Sequence, residues 1–190
     1  MASPHKTAKY VTPLDTFIDF QNRRAIIVDG HEDAIMTLTA VQDVAAVVAQ
    51  AVDYEGEWPK VGGIRGNRIT VSRILEIGEV VRGTSTIYTY GEIKSSQKIS
   101  GGPFTVDKVK LEDLQAGHLE TSWTLGRRHP SVSDGDADQL ADMLKAVLTG
   151  TLLSCAKGAW DVSDAFNQLL PEYRFVQIEE FLAAAWKGMA

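Results

Sequence analysis

The stretch "RRAIIVDGHEDAIMTLTAVQDVAAVVAQAVD", residues 23–53, decides the fold class. Ala25 to Val28 is a short continuous apolar run closed by Asp29-Gly30, the signature of a buried strand ended by a turn. "AIMTLT" (34–39) is a second strand, ending where a helix begins. Thr39 and Gln42 have capping-box spacing, and the Ala/Val run through Val52 predicts an apolar helix that ends near Gly56. "GGIRGNRITVSRILEIGEVVRG" (62–83) repeats the plan. Ile69 leads into Thr70 or Ser72 as N-cap, Ile74, Leu75 and Val81 face inward, and Gly83 falls where a C-terminal glycine is expected. Two strand-then-helix units in succession predict an α/β fold, with their strands extending a parallel sheet.

The C-terminal third has another character. From Asp138 to Lys157, Leu140, Met143, Leu144, Val147, Leu148, Thr151, Leu152 and Cys155 recur at three- and four-residue steps. This predicts one long amphipathic helix stopped by Gly158. "WDVSDAFNQLLPEY" reads as a short helix ended by Pro171, with Asp161 and Asp164 as candidate caps. "QIEEFLAAAWKG" reads as a final helix with Ile178, Phe181, Leu182, Ala185 and Trp186 on one face. A helix can start at Leu111 but breaks at Gly117, and the polar run 126–137 is loop.

Composition narrows the function classes. At 190 residues, 44% hydrophobic and 23% charged, the chain matches one globular domain spanning 1–190. A formal charge of -6 without a basic cluster argues against nucleic-acid or anionic-membrane partners. A small molecule, a protein partner or self-association remains. The single cysteine supports no disulfide framework, and a reducing, cytoplasmic location is expected. His5, His31, His118 and His129 lack metal-ligand spacing, so no metal site is expected. Ser154-Cys155 has no adjacent base to activate it. Tyr90 and Lys94 have the spacing of a catalytic Tyr/Lys pair, but "TSTIYTYGEI" is β-branched and aromatic. In a strand that spacing separates the two by roughly 13 Å.

Taken in order, "DFQNRRAIIVDG" (19–30), "TLTAVQDVAAVVAQAVD" (37–53), the 62–83 block and "KGAWDVSDAFNQLLPEYRFVQIEEFLAAAWKG" (157–188) resemble a known family. It is the NmrA-like, isoflavone-reductase-like branch of the atypical short-chain dehydrogenases, fungal members in particular. The resemblance covers the family's second half. It implies partial Rossmann-like sheet strands with helices, a helical C-terminal substrate lobe, and absence of the N-terminal dinucleotide-binding half with its Gly-rich turn. Against the family, residues 84–101 stand as an insertion that contains Tyr90 and Lys94.

The activity implied is that of the substrate-binding portion of an NAD(P)-dependent oxidoreductase acting on a small aromatic or apolar molecule. NADP or NAD is the implied cofactor, not expected to bind this chain alone. The alternative is a non-catalytic regulatory or dinucleotide-sensing protein with a protein partner. No catalytic or cofactor-binding residue carries over from the family. The expected substrate pocket is His118, Trp123 and His129, from irregular segments, together with Trp160 and Phe166 of the C-terminal lobe.

Overall fold

In the computed structural model, the residues described are 16–83, 103–126 and 137–187. Their elements run β1 (Ile18–Asp19), β2 (Arg24–Val28), β3 (Ile35–Leu38), α1 (Val41–Val52), β4 (Asn67–Thr70), α2 (Val71–Gly83), β5 (Thr105–Val109), α3 (Leu111–Gln115), α4 (Ala137–Ala156) and α5 (Ile178–Trp186). A three-residue 3-10 turn, Asn167–Leu169, precedes α5. The fold is mixed α/β. The Tyr90/Lys94 spacing, the 84–101 insertion, His5, His129 and most of the 126–137 loop lie outside the described residues.

Strand β2 is the spine. Ala25 to Val28 are each no more than 5% exposed, as an apolar strand covered on both faces must be. β1 pairs with it antiparallel, and β5 pairs with it parallel, in register from Arg24 opposite Thr105 to Val28 opposite Val109. The main core around it takes Ile74 and Ile77 from α2, Leu148 and Leu152 from α4, and Ile178, Leu182 and Trp186 from α5. Phe20 and Phe104 meet edge to face at 5.7 Å, against Gly78 of α2. A Cβ on Gly78 would approach the Phe20 ring to 2.7 Å. Helices α2 and α5 thus carry the expected inward residues; α4 does so through Leu148, Leu152 and Cys155, while Met143 and Val147 of the expected stripe stand exposed, and Gly158 (φ +77) ends the α4 region.

Three expectations are corrected. The strands of the two strand-then-helix units do not extend a parallel sheet: β3 and β4 pair with each other, antiparallel, in a separate two-stranded sheet. The loop 53–66 returns the chain beside β3, and Gly66 lets the backbones close, since a Cβ there would stand 2.8 Å from Leu38 O. Thr39 does not cap α1. Ala40 is the N-cap, with no side-chain cap bond, because Thr39 Oγ1 is committed elsewhere, donating to Ile64 O (3.3 Å) and accepting from Gly66 N–H (3.1 Å). Thr70 does cap α2, accepting from Arg73 N–H at 3.1 Å.

The third correction concerns the segment from Trp160 to Tyr173, which forms only the 3-10 turn rather than a helix. Its polar groups are spent on distant partners. Thr37 N–H donates to Trp160 O, and Arg68 grips Asp161 through two bonds of 2.8 and 2.7 Å. Arg65 pairs with Asp164. Asn167 clasps the Arg65 backbone in both directions, accepting from its N–H (3.0 Å) and donating to its C=O (2.7 Å). Asp161 and Asp164 therefore act as ion-pair partners rather than caps. Gly63 admits this docking: a Cβ there would collide with Ser163 O.

Further along, Asp43 of α1 is 3% exposed, and its two carboxylate oxygens accept from Tyr173 O–H and Val176 N–H, each at 2.9 Å. Asn67 donates to Val176 O and accepts from Ile178 N–H, leading the chain into α5. Under this segment lies a second apolar cluster of Val47, Ala51 and Phe166.

Candidate functional site

Parallel strands leave their carboxyl ends at one edge, where the turns that follow can build a concave site. β2 and β5 end together here, and Asp29 N–H extends the pair by donating to Val109 O at 2.9 Å. Gly30 (φ +74) then turns the chain into His31, whose N–H donates back to Val28 O at 3.0 Å. The loop is tied to α2 through Ser72 N–H to Glu32 O and Val71 N–H to Ala34 O. From the other side, Lys108 of β5 reaches Asp29 (3.2 Å) and Glu32 (2.7 Å). The hydrogen bond from Lys108 is the leading reason that the Glu32 carboxyl sits below the usual carboxylate range. Lys108 is held above its ordinary range, chiefly by the bond to Glu32 and then by that to Asp29.

Behind this fastened loop is a cleft lined by Phe17, Ile27, Val28, His31, Ala34, Val71, Leu152, Cys155 and Ala156. It has about 220 Å³ of empty space counting its open mouth. Its enclosed part holds no more than about one water molecule. His31 is the polar handle of an otherwise apolar lining. Its Nδ1 lies 3.2 Å from Asp29 O. A carbonyl can only accept, so the contact is a hydrogen bond when the ring proton sits on Nδ1, and in that neutral tautomer Nε2 is free to accept. Cys155 is buried, and burial pushes its thiol pKa up, which keeps it protonated and a poor nucleophile. Neighbouring Ser154 is equally committed: its Oγ accepts from Trp160 Nε1 at 2.8 Å and donates to Thr151 O at 2.9 Å.

The residues expected from the sequence fall at separate places. Trp160 lies nearest the cleft, edge-on to Phe17 with ring centroids 6.0 Å apart. Phe166 belongs to the second cluster, against Trp58 at 5.4 Å. Trp123 lies under the Arg24 guanidinium, 4.3 Å from its ring centroid, with a buried Nε1 that finds no protein partner. His118 is exposed in the turn after α3. His31, Phe17 and Cys155 were not expected at a site. The available signal was the Asp-Gly-His that closes the most apolar strand, because a polar residue at that turn is delivered to the carboxyl edge.

A dinucleotide cradle needs a strand, a Gly-rich turn and a helix in sequence. Among the described residues, the Gly30 turn leads from β2 into β3, and the junctions into α1 (Thr39-Ala40) and α2 (Thr70-Val71) hold no glycine. These residues do not fit a pyrophosphate. The described residues also include no group of three or more His, Cys, Asp or Glu able to hold a metal ion, and no helix long and apolar enough to cross a membrane.

Fold and site together define an α/β protein with a small apolar cleft and one imidazole at the carboxyl edge of a parallel strand pair. Comparison with known proteins adds a direction. Over 181 residues, 94% of this chain, it is 25% identical to "Oxidoreductase swnN" of Arthroderma benhamiae. The matched part is 55% of that protein, so the chain spans about half the length of the curated relative it matches. No family model matches the chain, and no solved structure does.

Proposed function

We propose that the chain is the substrate-binding portion of an NmrA-like, NAD(P)-dependent oxidoreductase acting on a small aromatic or apolar molecule. The observation that carries this reading is the similarity to an oxidoreductase along nearly the whole chain. The cleft supports it. Its enclosed part admits one small polar group, such as a carbonyl or hydroxyl, and His31 Nε2 can accept a hydrogen bond from the hydroxyl form. The apolar body of the substrate would rest on Phe17 and Trp160. In this reading NADP or NAD is the cofactor, as the family resemblance implies, and is not expected to bind this chain alone. The second reading is a non-catalytic regulatory or dinucleotide-sensing protein that binds a protein partner.

A thermal-shift experiment separates the two. The purified protein is melted with a panel of small aromatic alcohols and ketones, and separately with NADP and NADPH. The substrate-portion reading predicts that members of the panel raise the Tm and that His31→Ala removes the effect. A panel without effect, together with a Tm raised by NADP(H) alone, would overturn it in favour of dinucleotide sensing.

A further inference from the structure

The cleft beside His31 poses a problem of size. Its enclosed part holds no more than about one water molecule, whereas a single benzene ring fills a cavity of about 150 Å³. Phe17, which lines it, is 1% exposed and offers no surface to a ligand as it stands. An aromatic ring enters only if one wall gives way.

The walls differ in how they are held. Ile27 and Val28 are locked in the ladder with β5. Val71 is tied by its N–H to Ala34 O at 3.0 Å, and the residues of α4 stand in a helix of 20 residues. Phe17 is held otherwise. Its C=O accepts from Ile26 N–H at 2.8 Å, which fixes the backbone, but its ring is backed edge-on by Trp160. Trp160 in turn is placed by polar bonds. Its C=O accepts from Thr37 N–H at 2.9 Å, and its indole Nε1 donates to Ser154 Oγ at 2.8 Å. Turning the indole breaks only the second of these. A lone bond between two side chains is a small barrier beside the burial of an aromatic ring.

We propose that Trp160 is the latch of the cleft: when its indole leaves Ser154, the Phe17 ring turns aside and the cleft opens to the size of an aromatic ring. The substrate-portion reading says what enters, and the proposal rests on it for that alone. The opening itself needs no ligand.

Cys155 reports that opening, being the chain's single cysteine and 4% exposed in the cleft wall. Iodoacetamide at about pH 8 should label it in the native wild type at a rate that stays flat from zero to about 1 M urea, because a local opening exposes little surface. Ser154→Ala and Trp160→Phe remove the bond from its two ends. Each should speed labelling about fivefold, the worth of one hydrogen bond, and the double variant should add little to either. Ser154→Thr keeps the hydroxyl and should label at the wild-type rate.

Wild-type labelling that climbs with urea in step with global unfolding overturns the latch. So do single variants that label like the wild type, or single effects that multiply in the double variant. The two ideas fail separately. If the variants label as expected while no aromatic alcohol or ketone of the thermal-shift panel slows labelling, the latch stands and the fault lies with the substrate-portion reading. A panel member that raises the Tm, beside variants that label like the wild type, keeps that reading and removes the latch.

Discussion

Strand β2 is held by apolar burial on all sides, whereas the segment from Trp160 to Ile178 has only a small apolar cluster around Phe166 and is otherwise fastened by polar groups that meet it one at a time. The first kind of attachment is non-directional and spread over many neighbours: Ala25, Ile26, Ile27 and Val28 lose water to three helices and two strands. The second is directional and thin. Remove Asp43, Asn67, Arg65 or Arg68 and one stitch of a seam opens, while the core beside it keeps its packing. The difference teaches which parts of this molecule should fail together and which should fail alone.

Substitutions can break that contrast. Ile26→Ala, at a fully buried site, should cost about 4 kcal/mol. The loss should be global, seen as a lower midpoint of chemical unfolding by every probe. Asp43→Ala should cost less, about 1–2 kcal/mol, by taking the acceptor from the half-buried Tyr173 hydroxyl and Val176 N–H. Its signature should be local. Limited proteolysis should cut between Trp160 and Ile178 at denaturant concentrations where tryptophan fluorescence still reports a folded core. If Asp43→Ala merely shifts the global midpoint with no new cleavage, the two regions are one cooperative unit and the contrast fails.

Acidity and alkali should loosen the seam from opposite ends. The Asp161 carboxyl is held below its ordinary range, first by the hydrogen bond from Arg68 and then by charge. A carboxyl depressed in the folded state adds stability above its unfolded pKa, and that share is lost as pH falls through the folded value, hence below about pH 4. The Tyr173 phenol is raised, first by burial and then by the bond to Asp43. Its share is complete below about pH 10 and is lost as pH climbs past that. Cleavage of the segment should therefore be flat between about pH 5 and 9 and rise outside it. The smallest expected effect is Arg68→Ala at neutral pH, because an exposed ion pair is screened by solvent. Its unfolding midpoint should fall within the scatter of the wild type.

The same contrast explains what the sequence made legible. Apolar burial writes itself into periodicity, so the buried run 25–28, the inward residues of α2 and α5 and the stops at Gly117 and Gly158 could all be read beforehand. Seam contacts leave no local mark. Asn167 and Arg65 lie far apart in sequence, and nothing near Asn167 announces that its amide clasps a backbone. Local rules then mislead: Asp161 and Asp164 look like caps, and Thr39 with Gln42 looks like a capping box, until partners elsewhere in the chain claim those oxygens. Strand direction failed for a related reason. A strand-helix-strand pattern suggests parallel pairing, yet the Gly66 approach to Leu38 turns β4 back along β3.

The aromatic residues expected at a pocket and the strand-end residues that line the cleft lie at different places. Trp123 and Phe166 went to separate packing sites, while His31 reached the carboxyl edge because it follows the buried strand by three residues. The proposed site accordingly rests on His31, and its imidazole can be watched directly. In a proton–nitrogen NMR spectrum of the histidine rings, with His31 assigned through His31→Gln, aromatic alcohols or ketones that raise the Tm should be titrated in. The account predicts a saturable shift of the His31 resonances with those of His118 unmoved. Ligand that shifts His118 and leaves His31 in place would contradict it and move the site to the Trp123 side of the molecule.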